Sequence, residues 1–202
     1  MPMRLRSRRL RLPPPRALRF PVSAIRIRMN PFQALADIAA SQLGTQEDAK
    51  HTNAGAAIAK YQHDTNLGGQ GWPWCAAFVD WCVHQFLLVP ANAAICAIPL
   101  ANRPRTAAAF GLRTWGLDNN CRIFHPNNKD SHGLAPLAGD LVVFAFSHCG
   151  IVSRNVDAHH FEAIEGNSNN DGSRDGYAVV RKVRDITRVL CFVRLPVRAQ
   201  RA

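Results

Sequence analysis

No stretch of this chain approaches eighteen consecutive apolar residues, which argues against a membrane-spanning helix. Its first residues lack an uninterrupted apolar segment too. Phe20 to Ile25 gives only six residues before Arg26, too few for the core of a secretory signal. The six cysteines, at positions 75, 82, 96, 121, 149 and 191, include no CxxC pair. That argues against zinc-knuckle and thioredoxin chemistry, and a disulfide-stapled miniature fold is out of keeping with 202 residues. HExxH and other paired-histidine spacings are missing, so the histidines do not announce zinc. Asp171 and Asp175 lie in a stretch rich in Gly, Asn and Asp. The bidentate glutamate of an EF-hand is lacking there, and turn chemistry explains the stretch as well as calcium would. The sequence shows no internal repeat, and its residues call for no metal and no cofactor.

What is present begins with an uneven charge. The formal net charge is +11, but residues 1–28 hold nine arginines and no acid, so only +2 remains for residues 29–202. The basic signal belongs to a tail over residues 1–29, read as disordered. Three readings of that tail compete. It binds nucleic acid or an anionic surface through counterion release, it is an Arg-rich targeting segment, or it lies outside the functional protein, since Met29 stands directly before a helix-like start. No other part of the chain suggests nucleic acid. The chain is 47% hydrophobic, enough for one domain with a real core, placed at residues 30–197.

Apolar positions at Phe32, Leu35, Ala36, Ile38, Ala39 and Leu43 predict a helix over 31–43, with Asn30 as N-cap, Pro31 in the first turn and Gly44 as terminator. Further helices are expected at 54–62, 75–88 and near 104–110. Residues 65–71 read as a flexible connector and 119–131 as a polar loop. After Pro136 the period changes. Residues 141–146, 151–152, 161–164, 178–183 and 190–195 read as strands. Helices first and strands later imply an α+β fold with an antiparallel sheet.

One cysteine stands apart. Pro73 suits a helix start, so Cys75 falls in the first turn of the helix it opens. Unpaired N–H groups and the positive end of the helix dipole favour thiolate there, and the same N–H groups can receive an oxyanion. The other five cysteines read as buried, inert thiols. A thiolate nucleophile needs a base, and the base needs an orienting group. His148 follows one strand and opens the next. A turn near Val156–Asp157 would set His148 opposite Glu165 and Ile151 opposite Glu162, with side chains on one face about 5 Å apart. Glu165 would hold one ring nitrogen while the other faces the sulfur. Asn167, two residues on, would share that side, and a bulge would break the count. The other seven histidines read as structural or solvated. Trp72 and Trp74 flank the cysteine and are expected to bind substrate, Trp72 more on the cleft and Trp74 more buried.

Four blocks, in order, resemble the CHAP family, cysteine- and histidine-dependent amidohydrolases/peptidases related to the NlpC/P60 group. They are Trp74-Cys75-Ala76-Ala77-Phe78-Val79-Asp80-Trp81-Cys82, Ala138-Gly-Asp-Leu-Val-Val-Phe144, Ser147-His148-Cys149-Gly150-Ile151-Val152, and Ile164-Glu165-Gly166-Asn167-Ser168-Asn169. The resemblance spans about residues 32–195. It implies a papain-like fold, with the nucleophile helix packed on an antiparallel sheet, and hydrolysis of amide or peptide bonds in bacterial peptidoglycan. By motif position Cys75 is the nucleophile, His148 the base, Glu165 the acid orienting it, and Asn167 an accessory polar residue. Cys149 departs from the usual apolar residue and raises oxidative pairing with Cys75. Ala77 stands where some relatives carry a calcium-binding Asp, which argues against that metal. The expected partner is peptidoglycan, met by a monomer made in the cytoplasm without a clear signal peptide and acting at the cell wall or periplasm. The competing expectations are a papain-like amidase for a small amide and a catalytically silent wall-binding module.

Overall fold

Asn30 starts the first helix through its side chain. Its Oδ1 accepts the N–H of Phe32 at 3.1 Å and its carbonyl accepts that of Gln33, which turns the chain into α1, Gln33–Ala40. The helix is shorter than the apolar spacing suggests. The Ser41 hydroxyl donates to the Ile38 carbonyl, and the chain turns through Gly44, whose N–H reaches the Val179 carbonyl. The computed structural model describes residues 30–131, 133–169 and 176–199. The arginine-rich tail, His132, and Asp171 and Asp175 lie outside the described residues.

Helix α2, Ala56–Gln62, and helix α3, Cys75–Leu88, follow as expected. Ten of the fourteen residues of α3 are buried, among them Phe78, Val79, Val83 and Phe86, so the helix is the central rod of the domain. Such a helix is apolar on nearly all sides because other elements surround it. Helices α4, Pro90–Ile95, and α5, Gly111–Asp118, complete the α-helices among the described residues. No helix forms over 104–110. Pro104 lacks an N–H, and the Thr106 hydroxyl takes the Ala108 N–H at 3.1 Å, so local bonds replace the helical ladder.

The strands are β1 (Arg122–Phe124), β2 (Leu141–Phe144), β3 (His148–Asn155), β4 (His160–Ser168), β5 (Ala178–Asp185) and β6 (Val189–Arg194). They form one antiparallel sheet in the order β1-β6-β2-β3-β4-β5. The fold is therefore α+β. Strand β1 lies inside the stretch expected to be a polar loop. It is only three residues long, too short to leave an alternating pattern in sequence.

Alternation along β2 and β3 divides the core. Leu141, Val143, Cys149 and Ile151 face the cluster that contains α1, α2 and α3. Val142, Phe144 and Val152 face a second cluster with Phe161, Ala163, Ile186 and Phe192. With both faces covered, all four residues of β2 are buried, and its sequence is continuously apolar. Among the described residues no helix is long and apolar enough to cross a membrane.

The N-terminal end of α3, which begins at Cys75, lies on the backbone of β4. A Cβ on Gly166 would come within 2.7 Å of both Phe78 Cβ and the Trp74 ring. Gly166→Ala should therefore force the helix start off the sheet and destabilise the domain by about 1–3 kcal/mol, read as a lower denaturant midpoint at constant slope.

Candidate active site

Pro73 and Trp74 bring the chain onto α3, and the Trp74 carbonyl accepts the N–H of Phe78 as the first bond of that helix. Cys75 is its first residue, 6% exposed. His148 is the first residue of β3 and is 1% exposed. Its ring lies nearly parallel to those of Phe144 and Phe146, at 5.9 and 6.0 Å between centroids. His148 Nε2 meets Glu165 Oε2 at 3.0 Å, which leaves Nδ1 for the sulfur of Cys75, with which the imidazole shares a hydrogen bond. Cys75, His148 and Glu165 thus come together in one buried row.

The route from His148 to Glu165 differs from the expected one. The pairing of β3 with β4 runs Ile151↔Ile164 and Val152↔Ala163, then shifts so that Arg154 meets Glu162. The irregularity falls at Ser153, whose hydroxyl donates to Glu162 Oε1 at 2.6 Å. Continued from Ile151, this register sets Gly150, not His148, opposite Glu165. His148 and Glu165 are diagonal neighbours on one face. Gly150 makes the diagonal possible, because a Cβ there would stand 2.8 Å from Glu165 Cγ and 2.7 Å from the Ile164 carbonyl oxygen.

Asn167 does not join the row. It has a positive φ of 53° at a register shift between Glu165 and Ser168, which breaks the two-residue period. Its Oδ1 accepts the backbone N–H of Trp74 at 3.1 Å, and its Nδ2 donates to Asn53 Oδ1 and to the Gly176 carbonyl. It tethers β4 to the residue just before Cys75. Trp72 and Asn167 line the cleft beside Cys75 and His148, a cavity of about 260 Å³ whose far side is Ala107–Ala109. Trp74 does not line it, which corrects its expected substrate contact. It is fully buried, stacked on Tyr61 at 5.6 Å, with its indole N–H on Glu47 Oε1 at 2.7 Å.

One member of the site leaves no signal in sequence. Arg184 on β5 forks onto Glu165, Nε to Oε1 at 2.7 Å and Nη2 to Oε2. It stands among Arg181, Lys182 and Arg188, and only the folded sheet singles it out. His160 also opens a strand beside an acid, Asp157 at 3.0 Å. That pair is exposed at the hairpin turn, the end of β4 remote from Glu165.

The charges alternate along the row. The Cys149 thiol donates toward the Cys75 sulfur and, against the opposing effect of burial, joins His148 and the Ala76 N–H in holding the Cys75 pKa well below the ordinary thiol range. Burial disfavours imidazolium at His148, but its hydrogen bonds to Cys75 and Glu165 and their charges outweigh that and raise its pKa from 6.5 to about 9. Burial likewise pushes Glu165 up, and Arg184 and His148 overcome it, so the carboxyl lies below its usual range. The shifts at Cys75 and His148 both favour the thiolate–imidazolium form of the pair. Burial raises Cys82, Cys96, Cys121, Cys149 and Cys191, Cys121 to about 12 and Cys191 to about 11. All six thiols are free. Among the described residues no group of three or more His, Cys, Asp or Glu is placed to hold a metal ion.

No protein-family model matches the chain, and neither does any curated protein.

The thiolate form of Cys75 persists until the pH falls through its lowered pKa, and its partnership with imidazolium ends as the pH rises through about 9. At pH 6 iodoacetamide should therefore alkylate Cys75 at least about tenfold faster than any of the other five cysteines, read by peptide mass mapping. Equal labelling of all six would remove the activated thiolate.

Proposed function

We propose that this protein is a cysteine amidohydrolase that opens amide or peptide bonds of bacterial peptidoglycan through an acyl-enzyme. The observation that carries the hydrolase reading is the buried row of Cys75, His148 and Glu165, with the sulfur at a helix start and the imidazole held by a carboxylate at 3.0 Å. A helix that presents a thiolate end-on to an antiparallel sheet carrying its base is the arrangement of a papain-like fold, and we read the chain as one. The peptidoglycan assignment draws on the four sequence blocks that resemble the CHAP family.

The steps follow from the residues. The Cys75 sulfur attacks the amide carbonyl carbon, and the oxygen takes up the charge near the first-turn N–H groups of α3. His148 gives its proton to the leaving amine, the C–N bond breaks and a thioester remains. The amine departs, and water enters. The now neutral imidazole takes a proton from that water, the hydroxyl adds to the thioester carbonyl, and collapse releases a carboxylic acid and restores the thiolate–imidazolium pair. Glu165 remains ionised throughout, and its role is to fix the ring and balance its charge. Trp72 and the alanines at 107–109 form the walls against which the acyl chain lies. The substrate places the site of action at the cell wall or periplasm.

Cys75→Ala should abolish clearing of purified cell walls while circular dichroism stays unchanged, and clearing by the folded variant would sink the reading. Glu165→Gln should lower the clearing rate by about 10²- to 10⁴-fold without abolishing it. Mass spectrometry of the muropeptides released would separate a peptidoglycan hydrolase from an amidase for small amides, since the latter yields no muropeptide fragments.

A further inference from the structure

The row does not end at Glu165. Behind it, on the side away from Cys75, is Arg184, itself buried. Glu165 pairs across β4 and β5 with Val180, while Arg184 pairs with Phe161, four positions farther along β5. The arginine therefore reaches its carboxylate along the sheet face. Its guanidinium lies over Phe144, 5.2 Å from the ring centroid, and near Phe146 at 5.8 Å. These are the same two rings that flank His148. One aromatic surface thus carries both the cation that holds Glu165 and the imidazole that Glu165 holds.

We propose that Arg184 is a positioning residue that keeps Glu165 ionised and aimed at His148, and thereby sets the lowest pH at which the Cys75–His148 pair works. The inference rests on reading Cys75 as the nucleophile. Geometry explains why the residue is arginine. Two donors in a fixed fork meet both carboxylate oxygens, so Glu165 cannot rotate away from the imidazole, and the flat guanidinium stacks on the rings. A lysine offers one point charge and fixes neither.

Among the described residues, the other groups around Glu165 are few. His148 faces it from β3, and the Ser168 hydroxyl on β4 lies 3.4 Å from Oε2. Cys149 on β3 feels its charge, Cys75 on α3 is linked to it through His148, and Lys182 shares the face of β5 with Val180 and Arg184. Arg184 is the only one of these shown with two hydrogen bonds to the carboxylate. Without it, burial is opposed mainly by His148, so the carboxyl pKa rises. Glu165 would then take a proton at a pH where it is now ionised, and the imidazolium would lose its counter-charge.

The test is the pH dependence of Cys75 alkylation by iodoacetamide, alongside cell-wall clearing. In Arg184→Met the acid limb of the alkylation profile should move up by about one pH unit or more. In clearing, kcat should fall at least about tenfold while KM stays within about twofold, since Arg184 touches no substrate. Arg184→Lys should give an intermediate limb. An Arg184→Met protein that folds and keeps the wild-type limb overturns the proposal. If that variant does not fold, an Arg184→Lys limb superimposed on the wild type overturns it instead. Alkylation needs no substrate, so the two readings can fail separately. A shifted limb in a protein that clears no cell walls sinks the peptidoglycan assignment alone, and an unshifted limb in a protein that clears them sinks the role of Arg184 alone.

Discussion

Removing a carboxylate from water costs several kcal/mol unless charge and hydrogen bonds are returned to it, and Glu165 is fully buried. Arg184 returns them through two donors and His148 through a third. This contact ties β3, β4 and β5 together at one end of the sheet. It also sets the charge of everything further along. An ionised Glu165 makes imidazolium the favoured form of a buried histidine, and imidazolium in turn favours thiolate at Cys75. The electrostatics of the Cys75 sulfur thus depend on a chain of contacts that runs through His148 and Glu165 to Arg184.

The helix contributes differently. Cys75 sits at the first turn of α3, where N–H groups and the dipole favour a negative sulfur. That placement works only if the helix start is fixed relative to β3 and β4. Two features fix it. Gly166 lets Phe78 and Trp74 rest directly on the backbone of β4, and Asn167 accepts the Trp74 N–H. The strained backbone of Asn167 is held by its bonds to Asn53 and Gly176. Trp74 is held separately through Glu47 and Tyr61.

Much of this was readable from sequence, and the reasons are local. Pro73 followed by an apolar run gave the start of α3 and its end at Leu88, because capping and periodicity act over a few residues. The strands of the C-terminal half were visible as apolar runs, but the return of β6 to lie between β1 and β2 left no mark in sequence. What escaped depends on contacts distant in sequence. The partnership of His148 with Glu165 was anticipated, but through a direct pairing that the irregularity at Ser153 replaces with a diagonal across Gly150. Arg184 looked like any basic residue on an alternating strand. Asn167 was counted onto the side of Glu165, and a positive φ turned it toward Trp74. The absent helix at 104–110 shows the same limit, since one threonine hydroxyl and a proline outweighed a run of alanines.

The packing of α3 has a consequence for how this chain can change. Ten of the fourteen residues of α3, the first five of β3 and the last eight of β4 are buried, and a substitution at these positions disturbs the core. The cleft walls are mixed: Leu67 and Ala108 are exposed, Trp72 and Ala107 are half-buried, and Ala109 is buried. Leu67 and Trp72 belong to one loop and Ala107–Ala109 to another, and a single backbone bond, Asn66 N–H to the Arg105 carbonyl, joins these loops. On the proposed function, the selectivity of the cleft is therefore open to change at its exposed lining residues Leu67 and Ala108, while Cys75, His148 and Glu165 stay in the buried part of the molecule.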